Sequence, residues 1–320
     1  MQVAAGIFQI ALPLPFPLKV VHAYLLQDGD GWTIIDTGLH YPPGEEAWRA
    51  AFAQYGVVPT AIRRIILTHA HPDHYGMAGW LAAQSGAAVL IPPIEREFAR
   101  VTWQVEGNDR HAVINFFRQY GVPEALLLVM DRDLAELREM TVPHPPMLVD
   151  LVAEEVLQIG VREFRLIPAA GHSDGQFVLY CAAERLLIGG DAVLAKITPN
   201  VGRWPWGDRN PLATFLATID RLADLEVDLV LPGHGSLIRN MPERLAALAL
   251  HHAERLIQVQ RAVQQSSHPF AICKALFSAQ ELTSHQLRFA MAETIAHLDF
   301  LVDAGVLRCE AEPLYSYYAV

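Results

Sequence analysis

The sequence predicts an α/β fold with a smaller, mostly helical region at its C-terminal end. Short β-rich runs alternate with helical segments from residue 7 to about residue 240. Four apolar strands run directly into polar clusters: "THAHPDH", "GHSDG", "GGDAVL" and "PGHG". Beyond Pro242 the pattern turns helical and closes on a hairpin-like "VLRCEAEPLYSYYAV".

The elements follow in order. "GIFQIALP", "VHAYLLQ" and "WTIIDTG" read as strands, the last two joined by the turn signal "DGDG". "EEAWRAAFAQYG" is helical, with Trp48, Ala51, Phe52 and Tyr55 on one side. "IRRIILT" is a buried strand, followed by a helix in "MAGWLAAQSG" and a strand in "AAVLIP". Residues 94–146 form a helical insert rich in Phe, Trp, Leu and Met. Strands resume with "EVLQIG", "EFRLIPAAGHSDG", "QFVLYCAA" and "RLLIGGDAVL", then helix "PLATFLATIDRLADL" and strand "VDLVLPGHG". From 242 a long amphipathic helix, two further helices and the hairpin suggest a winged-helix-like unit. The expected division is 1–241 and 242–320.

Composition narrows the function classes. At 320 residues and 52% apolar the chain can bury a large core. A formal net charge of −11 argues against a broad electrostatic grip on nucleic acid or an anionic membrane. Three scattered cysteines without a CxxC pair suit a reducing compartment. Prolines 13, 15 and 17 interrupt the apolar N-terminal stretch and no basic residue precedes it, so neither an export signal nor a membrane span is expected, and a cytoplasmic location is.

The chemistry lies in the four clusters. They offer His69, His71, His74, His172 and His234 with Asp73 and Asp191. Imidazole with carboxylate oxygen suits zinc, iron or manganese. Seven ligands are too many for one tetrahedral zinc but fit two divalent ions sharing a bridging carboxylate, with a position left for water.

The chain resembles the metallo-β-lactamase superfamily. The resemblance rests on "DTG" at 36–38, "THAHPDH" at 68–74, "GHSDG" at 171–175, "GGD" at 189–191 and "PGHG" at 232–235, in that order. It implies a four-layer αβ/βα sandwich with the metals at one edge. It further implies that His69, His71 and His172 hold one ion, that Asp73, His74 and His234 hold the other, and that Asp191 bridges them. Asp36 would orient the site through hydrogen bonds, and Asp73 would also assist proton transfer. His71 stands where the superfamily's diiron oxidases carry Glu, which argues against a dioxygen-reducing diiron centre.

The resemblance to glyoxalase-II-type thioesterases and to beta-lactamase-like protein two hydrolases implies cleavage of an ester, thioester or lactone of a small organic substrate by a metal-activated hydroxide. Zinc is the first expectation for the two ions. Rival readings are a ribonuclease or phosphodiesterase, a mononuclear-iron sulfur dioxygenase, and a regulatory metal protein. Against the nuclease stand the acidic charge and the last long helix, where Arg288 is the only Lys or Arg. Arg203, Trp204 and Trp206 in "KITPNVGRWPWGD" are the expected substrate contacts, because they follow Asp191 closely. A homodimer is an expectation without a specific residue behind it.

Overall fold

A computed structural model describes residues 1–104, 111–152, 156–278 and 282–320. Residues 105–110 of the expected insert lie outside the described residues. The first sheet has seven strands in chain order: β1 (Gln2–Ala4), β2 (Ile7–Pro13), β3 (Val20–Asp28), β4 (Gly31–Ile35), β5 (Ile62–Ile66), β6 (Ala88–Ile91) and β7 (Leu148–Asp150). The pairs from β1 to β4 are antiparallel, and those from β4 to β7 are parallel. The change of sense follows the connections, since parallel neighbours need a crossover rather than a tight turn. Helix α1 (Pro42–Tyr55) supplies the first crossover, and α2 (Pro72–Tyr75) with α3 (Ala78–Ser85) the second. The second sheet holds β8 (Val156–Ile159), β9 (Arg162–Pro168), β10 (Phe177–Cys181), β11 (Leu186–Gly190) and β12 (Leu229–Pro232), ordered β12-β11-β10-β9-β8.

Burial shows the layers. Tyr24, Leu26, Ile35 and Ile66 of the first sheet pack against Phe164, Leu179, Ile188 and Leu231 of the second. Trp48, Phe52 and Leu81 cover the outer face of the first sheet from α1 and α3. On the outer face of the second, Phe215 and Leu222 come from α7 (Pro211–Ala223), and Leu245 and Leu248 from α8 (Met241–Val263). This is the four-layer αβ/βα sandwich. Strands buried on both faces read as continuous apolar runs, which explains "IIL" at 65–67 and "LLIGG" at 186–190.

The insert contains α4 (Pro93–Thr102), α5 (Ala112–Gln119) and α6 (Glu124–Glu139) before the chain rejoins the first sheet at β7. Beyond α8 come α9 (Pro269–Leu276), α10 (Ser284–Asp303), and an antiparallel pair of β13 (Leu307–Glu310) and β14 (Ser316–Ala319). Thr283 and Gln286 form a reciprocal capping box that fixes where α10 begins. Val113, Phe117, Leu127 and Leu134 of the insert share one core with Ile272, Met291, Ile295 and Leu298. The C-terminal region is therefore clamped to the insert, and the start of α10 is held beside the sheet edge. Among the described residues no helix is long and apolar enough to cross a membrane.

Gly79 in α3 lies where an added Cβ would strike the backbone of Pro143 and His144 at the end of the insert. Gly79→Ala is expected to destabilise the protein by about 1–3 kcal/mol, the usual cost of overpacking a rigid contact. A urea-unfolding midpoint measured beside the wild type checks this.

Candidate metal centre

The candidate ligands leave the C-terminal ends of strands from both sheets. Asp36 follows β4, and His69 to His74 follow β5; His172 follows β9, Asp191 follows β11 and His234 follows β12. His71 is extended and precedes Pro72, which opens α2. Proline suits that first helical position because its missing N–H is not needed there. The short helix then turns Asp73 and His74 inward while His69 and His71 remain on the extended approach. Gly233 of "PGHG" is required by close approach, since any Cβ there would collide with Asp191 and His74.

The side chains converge. Metal-competent atoms of His69, His71 and His172 lie within 4.8 Å of one another, as do those of Asp73, His74 and His234, and those of His69, His74 and Asp191. His71 Nδ1 is 3.1 Å from His69 Nε2 and 2.9 Å from His172 Nε2. His234 Nε2 is 3.1 Å from Asp73 Oδ2. Asp191 stands between the groups: its Oδ2 is 3.6 Å from His172 Nε2 and 3.4 Å from His234 Nε2, and its Oδ1 is 3.4 Å from His74 Nε2.

The outer nitrogens fix the orientation of four imidazoles. His172 Nδ1 donates to the Asn200 carbonyl at 2.9 Å, and His234 Nδ1 to the Val20 carbonyl at 2.8 Å. His74 Nδ1 donates to Asp36 Oδ2 at 2.9 Å. The Thr68 hydroxyl donates to Asp36, so its oxygen accepts from His69 Nδ1 at 3.0 Å. Each ring thus turns its Nε2 lone pair toward the centre. Such outer contacts set the tautomer and basicity of metal-binding histidines.

A cation fits this arrangement. His74 Nε2 and Asp191 Oδ1 are buried and make no hydrogen bond. Leaving two such atoms facing each other is costly unless a proton or a metal ion joins them. In the absence of a metal the protein answers with protons. Burial works to lower the pKa of His74 and His234. Asp191, first among several carboxylates, overcomes it, holding His74 well above the usual imidazole range and His234 at about 10. Burial dominates the other half: His69 and His172 are lowered, and His71 falls to about 3. These three remain neutral with lone pairs available.

Asp36 does more than orient His74. It accepts the Thr68 backbone N–H at 2.8 Å and sits at a φ of 59°, a left-handed conformation that costs energy for a non-glycine residue. The hydrogen bonds to Thr68 and His74 hold it there. Glu95 is a site residue the sequence did not disclose. Its buried carboxylate accepts from Ala70 N–H at 2.8 Å, from the Ser173 hydroxyl at 2.6 Å and from Gly175 N–H at 2.7 Å. It therefore ties the His69–His71 loop to the His172 loop. Burial pushes its pKa up to about 7 against those three hydrogen bonds. Nothing in "IPPIEREF" marks Glu95, because its partners are distant in sequence.

A cavity of about 320 Å³ opens over the ligands. His71, Asp73, His172, Asp191 and His234 form its floor. Its walls include Phe16 and Leu18 from the β2–β3 turn, Leu194 and Ile197, and His285, Arg288 and Phe289 from α10. The expected substrate contacts are not among these residues. The Arg203 guanidinium is held by the carbonyls of Trp204 and Gly207 and approaches Asp299 at 3.8 Å. Trp204 and Trp206 pack against the core shared with the insert and line a smaller crevice behind His71. Residues 203–206 turn over α10, where the Arg203 backbone N–H donates to the Ala292 carbonyl at 3.0 Å. Of the histidines in the insert, His111 pairs with Asp131 and His144 contacts Tyr75.

Comparisons with known proteins agree with this fold. The profile of the Metallo-beta-lactamase superfamily matches residues 17–234, and that of the Metallo-beta-lactamase-like C-terminal domain matches residues 256–315. A metallo-beta-lactamase family protein from Thermus thermophilus superposes with a TM-score of 0.89 and 31% identity, covering 100% of both chains. A beta-lactamase domain protein from Burkholderia ambifaria gives 0.87 and 29%, covering 100% of this chain and 93% of its own. The probable metallo-hydrolase YqjP of Bacillus subtilis (strain 168) is 26% identical over 92% of each chain.

Asp36→Asn keeps the shape but weakens the hold on His74 and Thr68. It should reduce metal affinity about 10- to 100-fold, read by competition with a chromogenic chelator. Glu95→Gln sets an amide N–H₂ against donors that need an acceptor. It should cost about 1–3 kcal/mol, read as a lowered melting temperature together with reduced metal retention on dialysis.

Proposed function

The chain belongs to the metallo-beta-lactamase superfamily and is a metal-dependent hydrolase; from that premise we propose that it uses two divalent ions to cleave an ester, thioester or lactone of a small organic substrate. The observation that carries the reading is the convergence of four Nε2 lone pairs on buried Asp191, with His71 Nδ1 and Asp73 completing two ligand groups. His69, His71 and His172 would hold one ion, Asp73, His74 and His234 the other, and Asp191 both. Zinc is the first choice for this ligand chemistry, with iron or manganese as alternatives.

When bound, such ions supply a water acidified to a pKa near 7 and a Lewis acid for a carbonyl oxygen. The chain's own residues do the remainder. Asp73 is the more exposed of the two central carboxylates and lines the cavity. Its Oδ2 faces His234, which leaves Oδ1 to take and return a proton. Phe16, Leu18, Leu194 and Ile197 give the cavity apolar walls that exclude water and favour an organic acyl group. Three helices, α8 to α10, followed by the β13–β14 pair support reading the region from 242 as a winged-helix-like unit that serves the site through α10. A cavity of this size and character suits a small molecule better than a nucleic acid strand, and the net charge of −11 agrees.

The expected result is two equivalents of zinc or manganese by elemental analysis of the purified protein, with chelator-sensitive hydrolysis of at least one thioester, ester or lactone. Asp191→Asn should lower kcat/KM about 100- to 1000-fold, matching a loss of several kcal/mol of transition-state stabilisation. A single iron without hydrolysis would favour the dioxygenase reading and remove the bridging role of Asp191.

A further inference from the structure

We propose that Arg288 is the binding site for a carboxylate carried by the substrate, so that the enzyme takes a monoanionic acyl compound with an apolar body. This rests on the hydrolase reading for the reaction, but the argument for the anion is independent of it. Arg288 lies in the first turns of α10 and lines the cavity floored by the candidate ligands. The side chain is buried, with 7% relative exposure. A buried guanidinium is costly unless it is paired.

Among the described residues no carboxylate pairs with it. Asp133 of α6 acts on it electrostatically, but that group accepts from Ser284 and pairs with Arg132 at 3.6 Å. Arg138 at the end of α6 is a second cation that acts on it and cannot neutralise it, and the side chains in contact with the guanidinium are uncharged or aromatic. His285 Nδ1 is 3.4 Å away, and the guanidinium lies 5.9 Å from the Trp204 ring centre and 5.0 Å from that of Phe289. Aromatic faces orient a guanidinium without cancelling its charge. His285 is itself stacked on Phe16 at 4.8 Å, so the walls around the cation are fixed.

The geometry selects the anion. A guanidinium presents parallel N–H donors that match a carboxylate in a bidentate pair. One unpaired cation balances one negative charge. A dianion would add an uncompensated charge to a cavity whose floor already holds Asp73 and Asp191. The apolar walls between Arg288 and the ligands then accommodate the body that joins the carboxylate to the scissile carbonyl. The cation is supplied by the C-terminal region, which the shared core clamps in place.

The test compares the metal-loaded full-length protein on matched thioesters. One acyl chain ends in a carboxylate and its twin in the uncharged carboxamide. Wild type should favour the carboxylate by at least about tenfold in kcat/KM, a difference of about 1.4 kcal/mol. In Arg288→Met the ratio should fall to near one, chiefly through KM, and Arg288→Lys should retain part of it. An equal ratio in wild type and Arg288→Met overturns the proposal. Melting temperature guards against loss of fold, since replacing an unpaired buried charge by an apolar side chain should not lower it. A second arm measures the rise in melting temperature caused by phenylacetate. A rise in wild type that is lost in Arg288→Met supports the site, and the same rise in both overturns it. If no thioester is cleaved by wild type, the hydrolase reading fails while this binding arm still decides the role of Arg288.

Discussion

Four imidazoles in this protein are tied at the outside and left free at the inside. Asn200, Val20, Asp36 and Thr68 occupy the Nδ1 atoms of His172, His234, His74 and His69. The Nε2 lone pairs then have nowhere to point but toward buried Asp191 and its neighbours. A folded chain tolerates that arrangement only if positive charge arrives, as protons or as metal. The raised pKa values of His74 and His234 are the proton form of the same demand.

The sandwich exists to hold those outer contacts still. Asp36 and Thr68 come from adjacent parallel strands of the first sheet, while His172, Asp191 and His234 come from the second. Two sheets must therefore meet in register across their common core before the ligands can converge. Glu95 adds a further tie between loops on the two sides. Its carboxylate is buried by the insert's first helix, so the insert supports the site before it contributes to any wall.

Ligands alone do not define a substrate, because one scaffold hosts many reactions. Selectivity lies in what stands around the metal edge. The cavity walls come from three separate parts of the chain: the β2–β3 turn, the loop after Asp191 and the start of α10. The insert and C-terminal helices share a core that fixes the last of these. The two regions that the sequence marks as additions to the sandwich thus act together, one holding the other against the site.

The convergence of these His and Asp side chains was legible in the sequence because they sit at strand ends within short motifs. HxHxDH concentrates four of them in six residues, and "DTG" marks Asp36 by the same placement. The layered fold was legible because buried strands and amphipathic helices carry their own periodicities. The lining of the cavity was not, and the reason is physical. Arg203, Trp204 and Trp206 are close to Asp191 along the chain, yet the Arg203 guanidinium turns to backbone carbonyls and the two indoles line the crevice behind His71 rather than the cavity over the candidate ligands. Arg288 is about a hundred residues from Asp191 and reads as an ordinary helix cation. Only packing shows that it is buried and, among the described residues, without a carboxylate partner. Glu95 was hidden for the same reason, since hydrogen bonds across 25 and 80 residues leave no local trace. The chain by itself determined which side chains offer nitrogen and carboxylate donors at one sheet edge, because that chemistry depends on residue type and local spacing. Tertiary structure decided which other side chains face those atoms, because that depends on where separate elements come to rest.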